Sequence, residues 1–583
     1  VGVLRRLLCF FLVPASLLAW AAQAADGATV QQMQERPAHT KPLVVDAHTK
    51  ERADRIRADV AFLADDLLRG RLAGSSEYEI AARYVAAQMR AIGLHPIVSN
   101  YLQTVPIRRA WLHEPSAQMT LHIPGRSATD LQLEVASDFI MSGNAAHLES
   151  RVTAPLVFAG FGVRAPDLEH DDYANIDAQG KIVVVLSGTP GTVLKDSARS
   201  EQWAHYGSLK AQNAVEAGAV GIIVVHTPRA EQIFGWERRA AHREDARVRW
   251  LAADGIPHRS YPQLKGSAYV APHIAEKLFS RAPLSYDKVL NGLKDGRLTE
   301  GFELGLTATI GARSRHEDLG SSNVLGVLPG SDPDLAHEYV VVTAHLDHIG
   351  VTEKDGVEEV NNGAIDNAMG VALMLETARM LSSRTAPARS VVFVALTAEE
   401  AGLVGADYLA QNPPRAMRTM VANVNLDGPM LLYPFASLIG FGAQHSSLGE
   451  VAEAAVAAHG VRLQPDPLPE QGLFTRSDHY MFVRQGVPSI FLVPGFDSQD
   501  PALDGREQFL GYLAGPYHSP QDDMSLPIVW PSAVLMAQIN AAMLDRIANA
   551  QAAPHWYEGN FFGDTFGSSD PEKNTNQGRS QAP

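Results

Sequence analysis

Three stretches of the chain end in side chains that can hold a cation or move a proton. "VVVTA" runs into His345, with Asp347 and His348 just beyond; "VVFVALT" runs into Glu399 and Glu400; "VANVNL" runs into Asp427. Runs this rich in β-branched residues form buried strands, and open α/β sheets bind ligands in the crevice past the carboxyl ends of their strands. Imidazole and carboxylates are therefore expected to converge on one rim. Gathering carboxylates there is costly, because each repels the next and all lose solvation; a cation removes the cost. Two further segments can complete the set. "NNGAIDNAMG" puts Asp366 in a tight turn at a helix start, and "GPYHSPQDD" puts His518 in a proline-flanked loop. Neutral imidazole and carboxylate oxygen without thiolate suit zinc in a catalytic setting, and also manganese or cobalt. Asp347 is placed to hydrogen-bond the far nitrogen of the His345 ring and fix its tautomer. His348 is read as a supporting or solvent-facing residue.

The elements that must position these groups alternate strand and helix. Over residues 321 to 552, "YVVVTA" is followed by the helix "GVALMLETARML", "RSVVFVALT" by "GLVGADYLAQN", and then come "VANVNLD" and "PSIFLVP". Near-continuous apolar strands separated by helices predict an α/β fold, a mostly parallel sheet covered on both faces. Ahead of it, Val60, Leu63 and Leu67 predict one helical face, and Ile80, Tyr84 and Ala87 a second, opened by Ser76 and Glu79 at capping-box spacing and closed by Gly93 and Pro96. Neither of these helices carries residues suggestive of chemistry. From about residue 151 to 300 the pattern changes to short strands and turns, "APLVFAGFGV", "GKIVVVLSG" and "IIVVHTP", which predict a β-rich inserted domain. Its stretch "GWERRAAHREDARVRW" mixes Trp with Arg and is read as a solvated loop.

The organisation expected is a leader over 1–24, an N-terminal part of the main domain over 45–150, the insert over 151–300, the catalytic part over 301–552, and a polar, disordered tail over 553–583. Arg5 and Arg6, an apolar run broken by Pro14, and Ala22-Gln23-Ala24 give the leader its pattern of charge, apolar core and small-residue cleavage site. That run is shorter than the ~20 residues a spanning helix needs. A periplasmic or secreted protein without stable membrane insertion after removal of the leader is expected. The single cysteine, Cys9, lies in the leader, so any metal is held by His, Asp and Glu. A formal charge of −16 argues against nucleic acid as a partner. Neither G-x-S-x-G nor H-E-x-x-H occurs.

Six stretches in order, "TAHLDHIG", "NNGAIDNAMG", "ALTAEEAGLVG", "NLDGPM", "RSDHYMFVRQGVPSIF" and "YHSPQDD", resemble the di-zinc aminopeptidase family that includes glutamate carboxypeptidases, glutaminyl cyclases and the transferrin receptor. The block at 151–300 resembles the protease-associated domain inserted in members of that family. The resemblance implies a zinc exopeptidase fold and two Zn2+ per chain. His345 and Asp427 would hold one zinc, Glu400 and His518 the other, and Asp366 would bridge them. Glu399 would be the general base, and the Asp366-Asn367 peptide would be cis. The implied activity is hydrolysis of the N-terminal bond of peptides or proteins, one zinc receiving the free α-amino group. Several members carry Tyr three positions before the "SDH" serine to stabilise the oxyanion; here that position is Phe474, so Arg476 and Tyr517 are the available donors. A carboxypeptidase or dipeptidase is the alternative enzyme, but its carboxylate clamp would need an arginine cluster, and the metal motifs offer only Arg476 and Arg484. A receptor-like binding protein that has lost the metals is the other alternative. The oligomeric state is open at this level.

Overall fold

The computed structural model describes residues 46–124, 129–354 and 356–567. The expected leader and residues 568–583 of the expected tail lie outside these residues; the first part of that tail, expected to be disordered, instead folds onto the main core, with helix Phe561–Phe566 burying Phe562 and Phe566, because its aromatic side chains have apolar surface to cover. No helix among them is long and apolar enough to cross a membrane.

The catalytic part is built on the strands Tyr339–His345, Ser390–Leu396, Met420–Asn425 and Ser489–Pro494, all parallel, with Ser437–Phe441 antiparallel beyond the last. The three motif-bearing strands are neighbours, with Tyr339–His345 between the other two. Pairing of His345 with Leu396, and of Thr343 with Asn425, brings all three carboxyl ends level. Helix Gly370–Ser382 is buried along nearly its whole length and packs against Ala47–Leu63 on one side and Trp530–Asn549 on another. Its "GVALMLETARML" has no wide polar face because it has no face in water.

Strands Leu102–Ile123 and Phe302–Leu328 are long enough to serve both bodies of the molecule. They pair antiparallel from Val324↔Leu102 to Thr307↔His122, with one register break between Gly311 and Arg313. At one end Phe302–Leu328 pairs with Ser390–Leu396 of the catalytic sheet, and at the other with Glu149–Phe158 of the insert. The insert continues with parallel strands Ile182–Leu186, Gly221–Val225 and Ser267–Val270 and has its own core. Met119, Leu121, Leu133, Phe139 and Met141 are packed in that core, ahead of residue 151 where composition changes.

Four local expectations differ from the structure. Helix Ala47–Leu63 stops before Leu67, which is 83% exposed; Asp65 turns the chain by accepting from the Leu67 N–H. In helix Ser76–Ile92 the cap is Ser75, whose hydroxyl accepts from the Tyr78 N–H, and Ser76 is already inside. Its buried face is Tyr78, Ala81, Ala82, Val85 and Met89, while Ile80 is 50% exposed. Two adjacent alanines let the backbone approach its neighbour closely, which the larger side chains of the predicted stripe would not. Finally, "RVRW" at the end of the predicted solvated loop is a strand, Arg247–Trp250, paired to Leu102–Ile123.

Candidate functional site

Extending the register by two residues beyond Thr343↔Asn425 sets His345 beside Asp427, and His345 Nε2 is 3.1 Å from Asp427 Oδ1. The same nitrogen is 3.2 Å from Asp366 Oδ1. The other oxygen of Asp366, Oδ2, is 3.0 Å from His518 Nε2, which is also 3.1 Å from Glu400 Oε2. Two sets of donors thus share one carboxylate. All five ligand-type residues named from the sequence come together in this basin, with Glu399 beside them.

The tautomer of His345 is set by the backbone. Its Nδ1 lies 3.1 Å from the Asp347 carbonyl, which can only accept, so a proton resides there and Nε2 is the nitrogen offered to the basin; although burial opposes it, Asp427, Glu399 and Asp366 hold the ring's pKa well above the usual imidazole value, and a metal would take the place of the Nε2 proton. The Asp347 carboxylate does something else. It accepts from the Glu399 N–H (3.0 Å) and the Glu400 N–H (3.3 Å), clamping the turn that delivers both glutamates. Expected to contact the imidazole, Asp347 instead acts through the loop after the neighbouring strand, because the strands are level and its side chain points sideways. Burial pushes its pKa up to about 6 despite those two bonds. His348 does not face solvent: it is fully buried, with Nδ1 2.7 Å from Glu400 Oε1.

Asp366 sits in the turn Ala364–Met369, and the Asp366-Asn367 peptide is cis. Asp522, the first acid of "QDD", accepts from the N–H groups of Ile365 and Asp366, both at 2.9 Å, and from Tyr512 Oη at 3.1 Å. Asp427 is held by a relay in which every donor points the same way. Asn423 donates to Thr343, Thr343 to Asn425, Asn425 to Ser477, and Ser477 to Asp427 Oδ2 at 2.5 Å. Each hydrogen bond polarises the next in such a chain. Its sequence signal is the polar alternation of Asn423 and Asn425 in an otherwise apolar strand.

Arg71 is the residue the sequence concealed most fully. It is completely buried and forms no hydrogen bond to a carboxylate; its guanidinium donates to the carbonyls of Leu346 (2.8 Å), Asn362 (2.6 Å), Gly363 (3.1 Å) and Leu63. The first three belong to the loops carrying His345 and Asp366, and Leu63 ends the helix Ala47–Leu63. Burial lowers its pKa to about 10, opposed by Asp522, Asp347, Asp366 and Glu400, so it remains a fixed cation behind the acidic basin. Gly70 lets it in: at φ 67° a side chain there would collide with the carbonyls of Gly350 and Asn361.

The electrostatics are those of a site built for a cation. Burial alone would neutralise His518, but Glu400 and Asp366 outweigh it and push its pKa up to about 10; Glu400 in turn falls to about 2, His518 overcoming its burial. Glu399 is pushed well above the carboxylate range by burial and then by Asp427, Asp478 and Glu400, against the pull of His345. Asp366 Oδ2 and both nitrogens of His518 are buried without a properly directed hydrogen bond. Separations of 3.0 to 3.2 Å between imidazole and carboxylate atoms approach the edge of a tetrahedron with metal bonds of about 2.0–2.1 Å, roughly 3.3 Å. The residues present fit a divalent ion with nitrogen and oxygen ligands.

The two candidate oxyanion donors differ. Tyr517 stacks on His518, ring centroids 4.0 Å apart, and burial together with Asp366, Glu400, Asp427 and Glu399 keeps its phenol protonated. Arg476 is an exposed residue whose Nη1 reaches the Gln471 carbonyl at 3.4 Å. Phe474 is fully buried in a ring cluster with His445, His479 and Phe562.

Fold and basin together define the class, an α/β protein whose ligand-type side chains gather at the carboxyl ends of its strands. Residues 323–544 match the model of peptidase family M28, and residues 152–257 match the PA domain. The segment that carries the basin is thus of the peptidase M28 type, and a segment of the PA type precedes it. Among relatives, aminopeptidase YwaD of Bacillus subtilis is 25% identical over 460 residues, 78% of this chain and 76% of the relative. A probable zinc metalloprotease of Pyricularia oryzae is 40% identical over 108 residues, 18% of this chain and 19% of its own. Among solved structures, an aminopeptidase from Aneurinibacillus sp. strain AM-1 aligns at 18% identity with a TM-score of 0.49, covering 87% of this chain and 96% of that one.

Proposed function

We propose that the chain is a zinc aminopeptidase with two metal ions in the basin, His345 and Asp427 holding one, Glu400 and His518 the other, and Asp366 shared. The observation that carries this reading is the pair of donor sets, each closed by one oxygen of the same aspartate. The zinc metalloprotease and aminopeptidase names of its relatives support the metal and the activity. The reading includes export, which rests on the residue pattern of the first 24 positions.

Zinc, when bound, supplies Lewis acidity that lowers the pKa of water from about 15.7 toward ~7 and polarises the scissile carbonyl. Glu399 takes a proton from the attacking water and returns it to the departing amine, a task suited to a carboxylate whose proton affinity is raised by burial and by neighbouring acids. Asp347 holds Glu399 in place through its backbone N–H. Tyr517, protonated and facing the basin, donates to the oxygen that gains charge. The acidic rim receives the free α-ammonium of the substrate. A terminal carboxylate would meet repulsion there.

Two measurements test the reading. An aminoacyl peptide should be cleaved and its N-acetylated twin should not; equal rates would exclude an aminopeptidase. Glu399→Gln should lower kcat by about 10²–10⁴-fold or more while zinc content stays that of the unmodified protein.

A further inference from the structure

Where the insert meets the catalytic part, three arginines lie together. Arg249 is on the strand Arg247–Trp250; Arg259 follows the turn at Leu251–Pro257; Arg484 caps the helix His479–Val483. Arg259 is within electrostatic reach of both Arg249 and Arg484, and all three bear on Tyr261. Among the described residues none of the three forms an ion pair with a carboxylate. Arg249 donates only to the Val248 carbonyl at 2.8 Å. Burial lowers its pKa to about 10 and lowers that of Arg484, with the neighbouring arginines adding to both.

The packing that creates this cluster is specific. Trp250 Nε1 and His258 Nδ1 both reach Asp407 Oδ2, at 2.9 and 2.8 Å, while Gln411 donates to Asp407 Oδ1. The His258 ring stacks on Trp250 with centroids 4.1 Å apart. Asp407 stands on helix Val404–Gln411, which packs against His479–Val483, so the contact that seats His258 also brings Arg259 toward Arg484. Arg259 takes the left-handed backbone at φ 52°, unfavourable for its side chain. Asp407 is the acid whose field reaches all three arginines, and both of its oxygens are bonded to other groups.

Two other arginines among the described residues show what a matched guanidinium looks like in this fold. Arg108, paired across the sheet with Arg249, makes a two-pronged contact to Asp318 at 2.6 and 2.7 Å, and Arg55 does the same to Glu376. In a chain of formal charge −16, three neighbouring, partly buried guanidiniums that share one distant, already engaged acid and form no ion pair cost energy unless an anion joins them.

We propose that Arg249, Arg259 and Arg484 form a binding site for an oxyanion at the junction of the insert and the catalytic part. The ligand chemistry is a phosphate-like or carboxylate group held by planar guanidiniums. Its source is either a free inorganic anion or an acidic side chain on a bound peptide.

The test uses the zinc-loaded full chain, with binding read by calorimetry and Tm. Probes are sodium sulfate and N-acetylated tri-aspartate, each compared with sodium chloride at equal ionic strength. Sulfate stabilises proteins in general, so the quantity that matters is the difference between wild type and the R259Q/R484Q variant. The wild type should bind at least one probe, and each single variant should weaken it by about tenfold or more. Sulfate alone would identify a free anion, and preference for the peptide an acidic segment. In chloride, R259Q should melt no lower than the wild type, because it removes repulsion and no partner. Equal responses of wild type and double variant to both probes would overturn the proposal, as would a lower Tm of R259Q in chloride. Hydrolysis of a neutral aminoacyl substrate should be unchanged in both single variants.

Discussion

The acidic basin and the arginine junction are two concentrations of like charge in one molecule, and they are organised in opposite ways. In the basin the side chains are held from behind: Asp347 and Asp522 by backbone N–H groups, Asp427 by a relay of four residues, and the two loops by Arg71 through three carbonyls. At the junction one acid, Asp407, fixes the surroundings and the guanidiniums themselves are left without acidic partners. Rigid support and an internal counter-charge suit a site that must hold fixed geometry for chemistry. Partly buried guanidiniums that form no ion pair suit capture of an anion.

The comparison can be broken most severely at Arg71. Arg71→Met removes the cation and strands four carbonyls, and should cost about 3–5 kcal/mol, read as a fall in denaturant midpoint. Little change would mean that the loops hold their shape unaided. Asp522→Asn keeps the volume but weakens the hold on the Asp366 turn; zinc affinity should drop about 10–100-fold with fold intact, measured by competition with a chelator. Asp407→Asn tests the junction and should cost about 1–3 kcal/mol. The wild-type Asp407 pKa is depressed to about 2, chiefly through the bond from His258 against the opposing effect of burial. Its contribution is therefore fully present above the unfolded value near 3.8 and is lost as pH falls toward 2; a Tm difference between wild type and variant that failed to shrink on acidification would contradict this. Leu67→Ala, at a position 83% exposed, should change stability by no more than about 0.5 kcal/mol, against about 2–5 for Leu63→Ala.

Much of the site was legible because strand ends are legible. His345, Glu399, Glu400 and Asp427 each follow a β-branched run, and neighbouring parallel strands must deliver their ends to one rim. Asp366 and His518 were recoverable from residue type and from the resemblance carried by their motifs. Arg71 was not, since "RGRLAG" reads as a surface turn and nothing local reveals that its guanidinium crosses to residues 346 and 362. His348 takes the supporting one of the two places open to it, beside Glu400, while Asp347 does not meet the imidazole: one residue along a level strand end decides which neighbouring loop a side chain reaches.

The sequence alone determined the α/β alternation, the inserted block and the kind of chemistry available, because burial periodicity and ligand type are local properties. The tertiary structure decided which oxygen of Asp366 meets which imidazole, which buried cation stands behind the carboxylates, and which arginines gather at the junction. These depend on register and on contacts between residues up to hundreds of positions apart, where small differences in packing select the partner.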